Sequence, residues 1–195
     1  MLRNKIATGA MALGLLAIPA IAATPATGAN AWTVDHSQSN LGFEGNASGQ
    51  AFTGKFTKWE AAIQFDPAAL AKSSAEVTID MASVDSGDPS RDTSLPEPDW
   101  FSTTLFPQAT FKTDSIRAGD AAGSYVADGT LTIRNVSKPA SLPFTLTIDG
   151  DTAKMQGSLT LKRTDFGVGQ NAWASPSTVA LDVKVNVDVT ATRSK

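Results

Sequence analysis

The sequence predicts an all-β protein in which about eight strands close into an antiparallel barrel. Apolar and polar residues alternate through most of the chain, most strictly over residues 178–193. A side-chain period of two is typical of strands with one buried face. Long strands and inward glycines at Gly54, Gly129 and Gly157 favour a barrel over a sandwich, because closure needs strong bending and removes exposed edges.

The first 31 residues are predicted to precede the barrel. Residues 1–23 combine a basic start at Arg3 and Lys5, an uncharged run rich in Ala and Leu, and small residues near position 22. This pattern predicts a cleaved secretory signal peptide, since the apolar run is too short for a comfortable transmembrane helix. Residues 24–31 are predicted to form a flexible leader.

The barrel domain is predicted to span residues 32–193. The alternation changes phase by one residue between Phe56 and Trp59, which predicts a bulge or a tight bend. Asp149-Gly150 is a hairpin turn signal. Residues 83–107 are irregular and rich in proline, and they predict one long loop with a short helical segment, at about 85–107, that covers the barrel as a lid.

Composition excludes several kinds of site. The chain has no cysteine, which rules out disulfides, thiolate metal sites and cysteine nucleophiles. The formal charge of −3 becomes −5 when Arg3 and Lys5 are removed, and no basic block remains, so binding to nucleic acid is disfavoured. With His36 as the single histidine, a typical zinc site is not expected either.

Two motifs have the residue types of a catalytic or cofactor site. Asp35-His36-Ser37 suggests a hydrolytic triad, but neighbours on a strand point to opposite faces and cannot converge on one substrate atom. We expect His36 to close one barrel end through hydrogen bonds, and a contact with a ligand headgroup stays open. Residues 167–172 match a dinucleotide fingerprint, but no useful helix follows, so their glycines are expected to shape a rim loop.

Two arginines have acidic neighbours, Arg91 beside Asp92 and Arg163 near Asp165. One interpretation is two ion pairs that hold loops against the barrel rim. The other is a guanidinium that faces a phosphate or a quinone oxygen. The acidic neighbours favour the structural role, and the headgroup candidates are His36, Arg91 and Arg163.

Several segments together resemble the YceI-like family of exported bacterial lipid-binding proteins. The resemblance spans essentially the whole mature chain and is carried by residues 32–37, 54–56, 65–66, 91–92, 95, 99–101, 106–107, 111, 129–133, 136–139 and 163–169. Two positions depart from the family pattern. Asn135 stands where the family often has glycine, and Ser94 stands where many members have histidine, so a headgroup role of that histidine does not carry over.

The resemblance implies a lipocalin-like antiparallel barrel in the periplasm whose apolar interior holds a long-chain isoprenoid lipid of the quinone or polyprenyl phosphate type. We therefore expect a non-catalytic carrier that has this lipid as its ligand and no cofactor. Small inward residues share strands with large aromatic ones, which predicts a void that a lipid tail would fill. The predicted cavity residues are Phe43, Phe56, Trp59, Trp100, Phe101, Phe106, Phe111, Leu131, Phe144, Phe166 and Trp173.

A second interpretation is a non-catalytic partner or stress-response module that acts on a membrane redox system without a dedicated ligand. This alternative predicts a well-filled barrel and an exposed apolar patch, whereas the carrier predicts a continuous interior void. A homodimer and transient contact with a membrane or a membrane redox protein stay open. An enzyme would need converging titratable groups, of which the sequence offers few.

Overall fold

The computed structural model describes residues 26–28 and 30–194. The predicted signal peptide, residues 1–23, lies outside the described residues, as do residues 24, 25 and 29 of the predicted leader. The strands are β1 (Ala31–Val34), β2 (Asn40–Ala47), β3 (Gln50–Phe56), β4 (Trp59–Gln64), β5 (Ser74–Asp80), β6 (Val84–Asp85), β7 (Gln108–Ala118), β8 (Ser124–Ile133), β9 (Val136–Asp149), β10 (Thr152–Lys162) and β11 (Asp182–Arg193). A short helix, α1 (Pro89–Ser94), lies between β6 and β7.

The strands close into one antiparallel barrel, as predicted. Strands β1, β4, β5, β7, β8, β9, β10 and β11 pair in that order, and β11 pairs back to β1. The three remaining strands extend the wall in the same order. β2 pairs with β11 beyond β1, β3 pairs with β2 in line with β4, and β6 pairs with β3 in line with β5. The wall therefore consists of eight long strands, three of which are broken midway.

The breaks divide this side of the wall into a lower tier of β1, β4 and β5 and an upper tier of β2, β3 and β6. Short 3-10 turns interrupt two of the long strands, and Thr57 and Lys58 interrupt the third. Ser83 bridges the break, because its carbonyl oxygen accepts from Thr57 N at 3.0 Å and its Oγ accepts from Lys58 N at 3.0 Å. The phase change between Phe56 and Trp59 is thus confirmed as a bend between two strands.

The tight turns occur where the sequence signals them. Gly150 has a φ of 57° between β9 and β10. Arg134 and Asn135, with φ of 50° and 61°, form a two-residue turn between β8 and β9, as type I′ hairpins require. The expectation that asparagine preserves this turn in place of glycine is confirmed.

The backbone departs from regular pairing at two further places. The β7–β8 register shifts between Thr113 and Ser115, and Gly129 lies opposite, where a Cβ would overlap the carbonyl oxygen of Lys112. The strand predicted from residue 178 begins only at Asp182. Val179 still forms an isolated bridge with Ala47 of β2, and the carbonyl groups of residues 179 and 180 bond the side chain of Arg163.

In the part of the chain that the structure describes, no helix has both the length and the apolar character needed to cross a bilayer.

Candidate functional site: an apolar cavity inside the barrel

The barrel encloses a cavity of about 300 Å³. Its wall consists almost entirely of apolar side chains at the inward positions of the strands, such as Val183, Val185, Val187 and Val189 of β11. This volume is at the lower end of the range found for small-molecule sites. The side chains of the barrel therefore leave room for an apolar guest.

An aromatic cluster closes the cavity at the lower tier. Trp32 is 4 % exposed, and its Nε1 donates to the carbonyl oxygen of Phe65 at 3.0 Å. The rings of Tyr125 and Phe65 are nearly perpendicular, with centroids 5.2 Å apart, and Tyr125 stacks on Phe144 at 5.4 Å. The guanidinium of Arg193 covers Trp32, 4.5 Å from the ring centroid. This end is fixed by hydrogen bonding and by ring packing.

Residues 86–107, which we call the lid, cover the cavity at the upper tier. Leu95, Trp100 and Phe101 of the lid belong to the cavity wall. The ring of Phe101 packs at 6.0 Å from that of Phe56 on β3. The long loop with a short helical segment, predicted at about 85–107, is confirmed, and α1 is its helical part.

Nine of the eleven predicted cavity residues line the cavity: Phe43, Phe56, Trp59, Trp100, Phe101, Phe111, Leu131, Phe144 and Phe166. Phe106 and Trp173 do not. The ring of Phe106 lies under the guanidinium of Arg134, 5.7 Å away, and Trp173 packs on Trp100 at 5.5 Å. These two rings therefore support the lid from outside the cavity. That the nine residues contact a lipid stays a prediction.

The sequence prediction emphasised aromatic residues and missed the aliphatic part of the wall. Among the missed residues are Leu41, Val77, Ile79, Met155, Leu159, Leu161 and the four valines of β11. The alternation that placed them on inward faces was already visible in the sequence. It would have identified them if every inward position had been counted as a candidate.

Arg163 is a charged residue in the cavity wall, and it is 5 % exposed. Its guanidinium lies 5.4 Å from the ring centroid of Trp100. Its nitrogens donate, over 2.6–3.2 Å, to the carbonyl oxygens of Val168, Gly169, Trp173, Val179 and Ala180. Burial lowers the pKa of this guanidinium, but an arginine stays charged in proteins. All five N–H donors are used within the chain, so none remains for a ligand.

The two predicted ion pairs with sequence neighbours are wrong. Arg163 bonds carbonyl groups instead of Asp165, because its side chain continues the inward face of β10 into the barrel. Arg91 lies 3.9 Å from Asp88, while Asp92 accepts from the backbone N and the Oγ of residue 86. Arg91 is not part of the cavity wall, since its guanidinium lies over the ring of Phe52 at 4.1 Å.

His36 lies outside the cavity, so the expectation that it closes a barrel end is wrong. It belongs to the 3-10 turn between β1 and β2, and this turn lies midway along the wall. Its side chain is 44 % exposed, with Nε2 3.4 Å from Oε2 of Glu60 and the ring 4.8 Å from that of Trp59. Asp35 accepts from Ser37, and this bonding lowers the pKa of Asp35. Asp35 thus hydrogen-bonds Ser37 directly, and His36 does not connect the two as it would in a catalytic triad.

Across residues 26–28 and 30–194, no group of three or more histidine and acidic side chains is arranged to hold a metal ion.

Together these features define a closed eight-stranded antiparallel barrel of the size that holds one small ligand. A sequence model of the YceI-like domain matches residues 32–191. The chain therefore belongs to the YceI-like family, and the resemblance identified from its motifs is confirmed.

Relatives and solved structures agree with this assignment. A UPF0312 protein of Pseudomonas aeruginosa strain LESB58 is 31 % identical over 139 residues, which cover 68 % of this chain and 71 % of that protein. The crystal structure of Burkholderia cenocepacia BcnA has a TM-score of 0.78 and 34 % identity, covering 82 % of this chain and 99 % of that one. A polyisoprenoid binding domain from Saccharophagus degradans has a TM-score of 0.62 at 16 % identity, covers 84 % of this chain and 98 % of that one, and shares the fold.

Proposed function

We propose that this protein is a non-catalytic periplasmic carrier or buffer that holds a long-chain isoprenoid lipid in the barrel. The observation that carries the proposal is the apolar cavity of about 300 Å³. At about 24 cal/mol per Å³, such a cavity left empty costs roughly 7 kcal/mol, which is comparable with the whole stability of a typical domain. An apolar occupant would remove much of this cost.

A hydrocarbon chain suits this site better than a compact ligand. The cavity extends from the aromatic cluster at Trp32 to the lid residues Leu95 and Trp100, so its two ends lie in opposite tiers of the barrel. A tail with about ten buried carbons would gain roughly 8 kcal/mol, less the cost of ordering the chain. The description of the related S. degradans fold as a polyisoprenoid binding domain supports the choice of ligand class.

The cavity wall favours a lipid whose polar end group is neutral. Arg163 is its charged residue, and all of its donors already bond backbone carbonyl groups. A phosphate placed there would lose its hydration without gaining hydrogen bonds. Of the two lipid types expected from the sequence, the quinone type therefore fits better than the polyprenyl phosphate.

The alternative function, a partner module without a ligand, predicts a filled barrel and an exposed apolar patch. The apolar cavity is the opposite of the filled barrel that this alternative predicts. Among the described residues, Leu105 is the large hydrophobic side chain that is strongly exposed, at 72 %, and a single residue makes no patch. Both observations favour the carrier.

The carrier proposal is tested by native mass spectrometry of the protein purified from its own host without detergent. We expect a fraction with an added mass in the range of an isoprenoid lipid, and extraction should identify it. Persistent absence of such an adduct would reject the carrier function. The same spectra give the N-terminus of the mature chain, and processing near Ala22 or Ala23 would support export.

A further inference from the structure

The barrel wall is incomplete on one side of the upper tier. β3 pairs with β2 along its whole length, but with β6 only at Lys55 and Phe56. Residues 50–54 therefore present one backbone edge without a ladder partner. The first part of the lid, residues 86–96, which we call the flap, covers the cavity beside this edge.

The flap is a compact unit. The Asp88 carboxylate caps α1 by accepting from two backbone N–H groups of its first turn at 2.9 and 3.0 Å. Asp92 accepts from the N and Oγ of residue 86 at 2.8 and 2.6 Å. These bonds lie within the flap and would persist if it moved as one body.

Contacts between the flap and β3 are weak. The guanidinium of Arg91 lies over the ring of Phe52, and Leu95 packs in the same apolar cluster. Within the described residues, no hydrogen bond joins the flap to residues 50–54. A cation–π contact and apolar packing hold this seam closed.

The next part of the lid, Pro98–Trp100, which we call the anchor, is held much more firmly. The Asp99 carbonyl oxygen accepts two bonds from the backbone of residues 169–170 at 2.8 Å, and its carboxylate accepts from Asn171 Nδ2 at 2.7 Å. Arg134 Nη1 donates to the carbonyl oxygens of Pro98 and Trp100. Five hydrogen bonds thus fix the side of the lid that lies away from β3.

We infer that the flap is a side door: it swings away from β3 while the anchor stays bonded. The cavity is then reached through the seam that opens between the flap and β3. The side with fewer hydrogen bonds opens at lower free energy, because local opening follows the weakest set of contacts. That lipid passes through this seam rests on the proposed function. That the flap opens does not.

The opening can be measured without any lipid. The chain has no cysteine, and Val183 lines the cavity beside the apolar cluster that contains Leu95 of the flap, so Val183→Cys places one thiol on the wall behind the flap. Its alkylation rate with iodoacetamide reports how often the cavity opens. In this background, Arg91→Ala should raise the rate roughly two- to fivefold, because it removes the cation–π contact at the seam and, inside the flap, the bond from Arg91 Nε to Ser86 Oγ and the ion pair with Asp88.

Arg134→Ala is the matched control, because it also removes an arginine from above a phenylalanine ring, but at the anchor. It should leave the alkylation rate close to that of the parent. A larger effect of Arg134→Ala than of Arg91→Ala, or equal rates in all three proteins, would overturn the side door.

Hydrogen exchange of the unmodified protein gives a second measurement, which does not depend on how the variants fold. The amides of Phe101 and Thr103 donate to the flap carbonyls of Leu95 and Pro96, so they should exchange faster than the amides of residues 169 and 170, which donate to Asp99 of the anchor. Faster exchange at residues 169 and 170 would contradict the inference.

The lipid route is tested separately with ubiquinone-2, whose ring would quench the fluorescence of Trp59 and Trp100 on the cavity wall. Arg91→Ala should speed both uptake and release and leave the equilibrium affinity unchanged. Unaltered uptake and release would refute the seam as the lipid route. If the parent binds no ubiquinone-2, the proposed ligand class is in error, and the alkylation rates alone decide whether the flap opens.

Discussion

If the interior of the barrel is empty space, a larger side chain placed there should stabilise the lipid-free protein. Ala61 on β4 lines the cavity between Trp59 and Ile63. Ala61→Leu adds three carbons, worth at most about 2.4 kcal/mol of apolar burial, from which about 0.5–1 kcal/mol of side-chain entropy is lost. We expect a net gain of about 1–2 kcal/mol, or roughly 2–8 °C in Tm for a domain of this size.

The same substitution should weaken lipid binding, because it occupies the space of about three chain carbons. The loss corresponds to roughly 10- to 50-fold in Kd. Thermal unfolding of delipidated protein and a fluorescence titration with ubiquinone-2 measure the two effects. Ala62→Leu is the control, since residue 62 follows on the same strand, lies outside the cavity wall and pairs with Glu76. It should change stability by less than about 0.5 kcal/mol and leave binding unaltered.

Stability and ubiquinone-2 binding together show whether the interior of the barrel is empty. If Ala61→Leu lowered stability by about 1–3 kcal/mol, as overpacking does, and left ubiquinone-2 binding unchanged, the interior would already be full. Empty space in the barrel would then not be available to a lipid guest, and the carrier proposal would be refuted.

Three further predictions follow from particular contacts. Arg163→Met should lower the free energy of unfolding by at least about 3 kcal/mol in urea denaturation, since each carbonyl left without its donor costs roughly 1 kcal/mol or more, and a loss near zero would contradict the assigned role. Hydrogen bonds from Ser141 and a neighbouring guanidinium hold the pKa of Asp128 below its ordinary value of 3.8. This carboxylate therefore stabilises the fold at neutral pH, and the stabilisation is lost as pH falls below about 4 and through the lowered pKa. Asp128→Asn should flatten that part of the stability–pH profile, and an unchanged profile in acid denaturation would show that the bond is not formed. Gly54→Ala should destabilise the protein by about 1–3 kcal/mol in the same denaturation assay, because its Cβ would overlap the ring of Phe43, and Phe43→Leu should relieve part of that loss.

The fold could be predicted because its main determinant is local. A period of two marks each strand whatever lies beside it, and the phase change after Phe56 marks the bend. The face that a residue occupies can no longer be predicted where the alternation stops. His36 follows a strand directly, but a 3-10 turn capped by Asp35 breaks the period, so the face that His36 occupies could not be carried over from Trp32.

Arg163 shows a different limit. Leu159 and Leu161 lie on the inward face of β10, and Arg163, directly after the strand, continues their alternation, so the sequence does indicate that the arginine points inward. Its partners could not be predicted, because they are backbone carbonyl groups, which every residue has. Only the path of residues 167–180 around the guanidinium brings five of them together. Neighbouring aspartates in the sequence were therefore a poor guide to its contacts.

Only some of the small inward residues that suggested the cavity border it. Gly54 leaves no empty space, because the ring of Phe43 occupies the position where its side chain would be. Ala61 and Ala127 do border the void, together with inward aliphatic residues such as Val185 and Val187. An eight-stranded barrel is wide enough either to be filled by its inward side chains or to hold one small ligand. The number of strands thus sets the width of the interior, and short side chains at inward positions, alanine as well as valine, leave the space for a guest.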